Sequence, residues 1–257
     1  RAALILCGVP KQFSFVWKSY MQNIIMRNPR IEFEVYMHMY SDLHQKPFSN
    51  RRNKEFNATL ESPDEIRAIL DKGDITVMLT TSLQSMFEES ELSWLEQNDT
   101  SFFHRSCTFQ TLQNIFRQGN SLNEAFQYHQ RHNNNHSNDE IVYIFARSDT
   151  FLMSPVDIPC SGFGNHVDIV VPRWAGANNG GYNDRFAVAA GQLRVVAFMS
   201  YYYTLLYCVG VNDCVDCNLV LQLEYIRIKS AETYITAVMR NNMTTANSIR
   251  SVIMSTE

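Results

Sequence analysis

Two kinds of hydrophobic pattern alternate along the chain. Short apolar runs bounded by turn or polar residues predict strands at residues 2–9, 31–40, 75–81, 141–146 and 168–171, of which the first and fourth are expected to be buried. Helical spacing of apolar residues, or a helix-start signal such as Ser62-Pro63, predicts helices at residues 13–26, from 62 onward, 103–128 and 186–208. This alternation predicts an α/β protein, a Rossmann-like three-layer sandwich with a mainly parallel central sheet. No linker or repeat interrupts the pattern, so we expect a single domain over residues 1–257.

Composition and charge narrow the classes of function. The chain has 257 residues, 45% of them hydrophobic and 19% charged, which is enough to bury a sizeable core. The chain has 22 Lys and Arg and 26 Asp and Glu, which gives a net charge of −4. This charge and the lack of a basic stripe in the sequence argue against nucleic-acid binding. No apolar run reaches the ~20 residues of a membrane span. The best candidate, residues 195–211, is interrupted by Ser200 and Thr204, so we expect a soluble chain.

Cysteines and sequons bear weakly on the compartment. Cys7 and Cys208 lie in apolar elements where buried thiols are common, and Cys214 and Cys217 form a lone Cys-x-x-Cys pair. For Cys214 and Cys217 we favour unreactive thiols or a local disulfide, and the alternative is a redox or metal-binding function. Sequons occur about as often as chance predicts, at Asn57, Asn98, Asn135 and Asn242. These features lean toward a cytoplasmic protein, with a Golgi-lumen enzyme trimmed of its anchor as the alternative.

The expected ligand site lies at the carboxyl ends of the strands, where open α/β sheets bind their ligands. Three polar segments follow the predicted strands, and they run from Gly8 to Lys11, from His38 to Asp42 and from Arg147 to Asp149. Glycines add a fourth segment, since six of the ten are clustered late in the chain, at Gly162, Gly164, Gly176, Gly180, Gly181 and Gly191.

Arg147-Ser148-Asp149 follows a strongly apolar strand. A carboxylate fixed at a strand end can hold a divalent metal, and that metal can neutralise a diphosphate. Asp149 can equally cap a turn while Arg147 pairs with it, so this segment alone leaves both interpretations open.

The segment Gly180-Gly-Tyr-Asn-Asp-Arg-Phe186 presents an amide, a carboxylate and a guanidinium after two glycines. Gly181 lets the backbone approach a ligand, Asp184 can accept a proton from a hydroxyl, and Arg185 can meet an oxyanion. Asn183 or Asp184 can also cap the predicted helix that follows, and this role is compatible with the first.

These segments resemble small nucleotide-sugar glycosyltransferases of the GT-A fold, in particular those of microalgae and of the large DNA viruses that infect them. The resemblance covers about residues 2–191. Its most specific part is Asn183-Asp-Arg-Phe186, and it extends over Tyr143-Ile-Phe-Ala-Arg-Ser-Asp149, Asp168-Ile-Val-Val-Pro172, Cys7-Gly-Val-Pro-Lys-Gln-Phe13 and Val35-Tyr-Met-His-Met-Tyr40.

The resemblance implies transfer of a sugar from a nucleoside diphosphate, such as a UDP- or GDP-sugar, to a glycan hydroxyl. The nucleotide sugar and acceptor would be bound by Gly8, Lys11, His38, Gly181, Asn183 and Arg185. Asp149 would be the metal-binding end of the DXD motif, with Mn²⁺ or Mg²⁺ as cofactor. Arg147 replaces the first acid of that motif and would contact the diphosphate or hold Asp149, while His166 is a possible extra ligand.

Glycosyl transfer also needs a base when the anomeric centre inverts, and Asp184 is the best candidate. In a retaining enzyme Asp184 would bind sugar hydroxyls instead. Arg173 and Trp174, at the end of the fifth predicted strand, can contact a sugar ring, although such a Trp packs into the core about as often. Two alternatives stay open, a non-catalytic carbohydrate- or nucleotide-binding module on the same fold and a thiol-redox protein using Cys214 and Cys217.

Overall fold

A six-stranded sheet forms the centre of the molecule. The computed structural model describes residues 1–42, 60–72, 75–87, 89, 109–133, 141–158, 169–170 and 186–190. Within them the strands are β1 (Ala2–Cys7), β2 (Phe33–Tyr40), β3 (Thr76–Ser82), β4 (Val142–Arg147), β5 (Ile169–Val170) and β6 (Phe186–Ala190). The helices are α1 (Phe13–Tyr20), which continues as a π-helical turn (Met21–Ile25), α2 (Pro63–Leu70), α3 (Gln84–Phe87) and α4 (Phe109–His132).

The sheet is mainly parallel, as the alternating pattern predicts. Its strand order is β3-β2-β1-β4-β6-β5, and β1 pairs in parallel with both β2 and β4. Only β6 opposes its neighbours, because it pairs antiparallel with β4 and with β5. Every residue of β1 is buried, as expected of a central parallel strand covered on both faces.

Helices cover both faces of this sheet. Leu4 and Leu6 of β1 belong to one apolar cluster with the α1 residues Phe13 and Val16. Side chains that alternate with them face α4, where Tyr143 of β4 meets the rings of Phe126 and His129. The period of two along each strand therefore divides the core into two layers, and the α/β class predicted from the sequence is confirmed.

One predicted element has the wrong type. Residues 186–190 form strand β6, whereas the spacing of apolar residues predicts the start of a helix there. The run Phe-Ala-Val-Ala-Ala is apolar on every side, so its periodicity does not distinguish a helix from a strand buried on both faces. Pairing with β4 and β5 decides for the strand. At another boundary, α4 extends to His132, four residues beyond the predicted end of that helix at Tyr128.

Helix α2 begins with the cap that the sequence predicts. The Ser62 hydroxyl accepts the backbone N–H of Glu65 at 3.3 Å, and the Glu65 carboxylate accepts the N–H of Ser62 at 2.7 Å, with Pro63 in the first helical position. These reciprocal bonds satisfy two donors that a helix start otherwise leaves unpaired.

We expect Ser62→Ala to lower the free energy of unfolding by about 1 kcal/mol, because one capping acceptor is lost. Urea denaturation measures this loss. Ser62→Thr is the matched control, since it keeps the hydroxyl and should stay close to the native value. Equal losses in the two variants would contradict the capping role.

Helix α4 is the longest helix, and no helix in the described part of the chain combines the length and hydropathy needed to cross a bilayer.

Candidate functional site

The carboxyl ends of four parallel strands meet at one edge of the sheet, which we call the carboxyl edge. β1 ends there at Cys7, β2 at Tyr40, β3 at Ser82 and β4 at Arg147. β6 begins at the same edge, because Phe186 pairs with Ala146 of β4. The edge therefore gathers residues from distant parts of the chain, as expected for the ligand side of an open α/β sheet.

The turn after β1 has a backbone conformation that requires glycine. Gly8 has φ +93°, which L side chains rarely adopt, and its N–H donates to the Ser121 hydroxyl of α4 at 3.0 Å. This bond ties the turn to α4. Gly8, a predicted nucleotide contact, thus lies at the carboxyl edge and shapes its backbone.

Three charged side chains meet just beyond this turn. The Arg147 guanidinium donates from Nε to Asp149 Oδ1 at 2.9 Å and from Nη2 to Asp149 Oδ2 at 2.8 Å. The Lys11 ammonium lies 4.0 Å from Asp149 Oδ2. We call these three residues the edge triad. All three are predicted site residues, and the structure brings them together.

Buried hydrogen bonds hold the β4 end of the edge triad. The Tyr20 hydroxyl of α1 donates to the Arg147 carbonyl at 2.8 Å, and the Ser148 N–H donates to the Cys7 carbonyl at 2.8 Å. Gln118 of α4 accepts from Arg147 Nη1 at 3.3 Å. Because these contacts come from both helical layers and from β1, the orientation of Arg147 is set by the whole sandwich.

Burial changes the acidity of two groups beside Asp149. It lowers the pKa of the Lys11 ammonium, an effect that Asp149 opposes and Arg147 reinforces. Burial also raises the pKa of the Tyr20 hydroxyl well above its usual range, so Tyr20 is a permanent donor to Arg147. An anion bound near Lys11 would favour its protonated form.

A divalent cation does not fit Asp149 with the described residues alone. Both carboxylate oxygens already accept from one guanidinium, and a second cation, Lys11, is nearby. Among the residues that the structure describes, no group of three His, Cys, Asp or Glu side chains could hold a metal ion. Mn²⁺ and Mg²⁺ prefer several oxygen ligands. The metal therefore stays a prediction.

His38, a predicted nucleotide contact, lies inside the protein. Its Nδ1 is 3.0 Å from Ser121 Oγ, its Nε2 is 2.9 Å from Ser82 Oγ, and only 1% of the residue is exposed. Burial lowers the pKa of His38 to about 4, so the ring is neutral at pH 7. This geometry favours a positioning role: His38 joins β2, β3 and α4 beneath the carboxyl edge.

An open cavity of about 550 Å³ lies at the start of α1. Its lining residues come from the start of α1 and from the segment that leads into α2, and they are Gln12, Ser14, Phe15, Leu60, Glu61 and Glu65. Lys11 and Leu60 form an isolated antiparallel bridge that joins these two segments. The cavity is large enough for a sugar-sized ligand.

The polar groups that line this cavity include one carboxylate oxygen that accepts no hydrogen bond from the described residues. Glu61 Oε1 accepts the N–H of Ser14 at 3.4 Å, in the first turn of α1, where the helix dipole favours negative charge. Glu61 Oε2 is buried and has no hydrogen-bond partner among the described residues. A ligand hydroxyl would satisfy this acceptor.

An exposed aromatic pair joins the cavity to the segment that follows Asp149. Phe15 stacks on Phe151 with ring centroids 4.6 Å apart and an angle of 11° between the planes. Phe15 lines the cavity, and Phe151 is two residues beyond Asp149. Both rings stay partly exposed, at 56% and 40%. Phe15 therefore joins the cavity to Phe151, which is close in sequence to Asp149, and we take the cavity, the aromatic pair and the edge triad together as the candidate site.

The other predicted site residues lie outside the described residues. They are Arg173, Trp174, Gly181, Asn183, Asp184 and Arg185, together with the alternative candidates His166, Cys214 and Cys217. The described chain resumes at Phe186, directly after Arg185 in sequence, at the carboxyl edge.

No family model, curated protein or solved structure matches this chain.

Sequence reasoning missed three supporting residues, Gln118, Ser121 and Glu61. The first two are one helical turn apart on α4, so they lie on one helix face, but α4 carries many other polar residues at the same spacing and the pattern does not single them out. Glu61 carries no comparable signal, because its neighbour in space is the first turn of α1.

Proposed function

We propose that the protein is a glycosyltransferase that moves a sugar from a nucleoside diphosphate, a UDP- or GDP-sugar, to a glycan hydroxyl. The observation that carries the proposal is the cluster of Lys11, Arg147 and Asp149 at the carboxyl edge, with a cavity and an aromatic pair on segments that adjoin it in sequence. Cations suit a diphosphate, while aromatic faces and carboxylates suit the apolar faces and hydroxyls of a sugar. The resemblance to GT-A enzymes supports the same assignment.

The proposed reaction needs charge stabilisation and proton transfer. As the bond between the anomeric carbon and the phosphate oxygen breaks, negative charge grows on the diphosphate, and Lys11 and Arg147 stabilise it. The acceptor oxygen forms the new bond to the anomeric carbon. In an inverting enzyme its proton passes to the Asp184 carboxylate, which we propose as the base.

A donor screen tests this proposal. Purified protein is incubated with each of several UDP- and GDP-sugars, and release of UDP or GDP is measured with and without glycan acceptors. We expect one donor to release its nucleotide and to raise the melting temperature, because a ligand that binds only the folded state stabilises it. If every donor fails in both assays, the proposal is wrong.

A non-catalytic binding module on the same fold is the second candidate. It is favoured by one observation, the presence of Arg147 where the DXD motif has its first acid, with both oxygens of Asp149 engaged by that arginine. Calorimetry with glycans separates the candidates. A module would bind glycan without any release of nucleotide from a sugar donor.

A further inference from the structure

We infer that Lys11 and Arg147 bind the donor diphosphate directly, in place of a resident divalent cation. This inference rests on the proposed function and concerns how its leaving group is held. It also explains the disagreement between the metal that the resemblance implies and the side chains found around Asp149.

Arg147 supplies the first part of the anion site. The N–H groups of a guanidinium match the spacing of phosphate oxygens, and the guanidinium binds phosphate best when it is held in one orientation. The two bonds to Asp149, the bond to Gln118 and the Tyr20 bond to the Arg147 backbone provide that orientation. Asp149 is then a positioning residue for Arg147.

Lys11 supplies the second cation. Its ammonium is 4.0 Å from Asp149 Oδ2, which is beyond hydrogen-bond range, and the side chain is 29% exposed. Lysine acts on phosphate as a point charge and needs no fixed plane. The turn that carries Lys11 is anchored by Gly8 and by the bridge to Leu60, so the charge is held beside Arg147.

A divalent cation at Asp149 would require this arrangement to break. The cation would displace two guanidinium hydrogen bonds of 2.8 and 2.9 Å and would lie close to two positive charges. Like charges at such distances repel strongly in a partly buried site. Among the described residues, two cations and one carboxylate form the cluster, which suits an anion.

Titration calorimetry with UDP, GDP and inorganic pyrophosphate tests the inference, each in EDTA and again with Mn²⁺. We expect UDP or GDP to bind in EDTA, and the dissociation constant to change by less than about threefold with Mn²⁺. Lys11→Met and Arg147→Met should each weaken binding in EDTA by about 10- to 100-fold, the value of a charge-assisted contact.

Two matched controls separate the site from general charge effects. Arg27 makes the same two-pronged pair with Asp157, at 2.6 and 3.3 Å, on the exposed surface, so Arg27→Met removes an equal charge elsewhere. Lys18→Met does the same for an exposed lysine of α1. We expect both controls to bind UDP or GDP as the native protein does.

Asp149→Asn distinguishes the two roles of the carboxylate. If Asp149 only positions Arg147, we expect Asp149→Asn to leave the dissociation constant in EDTA within about tenfold of the native value. Poorer positioning of Arg147 weakens anion binding, while the loss of a negative charge beside the anion strengthens it. As a metal ligand its replacement should abolish Mn²⁺-dependent binding.

The outcomes decide separately on the inference and on the function. Binding that appears only with Mn²⁺ and disappears in Asp149→Asn overturns the inference and leaves the glycosyltransferase proposal intact. Binding in EDTA that survives both Lys11→Met and Arg147→Met also overturns it. Failure of UDP and GDP to bind under either condition contradicts the proposed function itself. If Arg147→Met does not fold, Lys11→Met still tests the inference, because Lys11 is partly exposed.

Discussion

Asp184→Asn is expected to lower the transfer rate by about 10²- to 10⁴-fold, the usual contribution of a general base. The amide keeps the size of the side chain but takes up no proton from the acceptor hydroxyl. Steady-state transfer with the donor found in the screen measures the effect. If Asp184 is the base, kcat falls while KM for the donor changes little.

Two further variants make this test specific. Asp184→Glu keeps the carboxylate and should recover part of the activity, and Asp157→Asn, an exposed site on the surface, should leave it unchanged. A rise in donor KM with little loss of kcat would instead assign Asp184 to sugar binding, as in a retaining enzyme. Full activity of Asp184→Asn would contradict both roles.

Acidification is expected to destabilise the fold well above the pH at which most carboxylates protonate. Burial lowers the pKa of His38 and of His129 to about 4, against 6.5 for an exposed histidine. Between these values the unfolded chain binds protons that the folded chain does not, so stability falls as the pH falls. Each histidine adds a slope approaching about 1.4 kcal/mol per pH unit.

Urea denaturation at several pH values from 7 to 5 measures this slope, in a range where carboxylates contribute little. We expect His38→Gln to reduce the slope of the unfolding free energy against pH by the contribution of one histidine. This expectation holds whatever the variant's stability at pH 7. His132→Gln is the control, because His132 is exposed at the end of α4. An equal slope in native protein and His38→Gln would contradict the prediction.

Local signals predicted several elements well. Strands β1 to β4 and the capped start of α2 follow from apolar runs and from Ser62-Pro63, because these features act within a few residues. Strand β6 was not predicted, because Phe186–Ala190 is apolar on every side and its pairing as a strand depends on β4.

The candidate site divides in the same way. A polar residue after a buried strand predicts a position at the carboxyl edge, and this holds for Lys11 and Asp149. It does not predict which way the side chain faces. His38 is polar and near a strand end, yet hydroxyls of Ser82 and Ser121 enclose it, and Ser121 is 83 residues away in sequence.

By itself the sequence determined the α/β class, the buried parallel strands and the edge at which polar groups collect, because hydrophobic period and strand direction are local or nearly local properties. Only the tertiary structure decided that both oxygens of Asp149 accept from Arg147, and that the Lys11 ammonium lies 4.0 Å from one of them. Pairing of charges depends on distances between segments that are far apart in the chain, and those distances exist only after the sheet and its two helical layers have assembled.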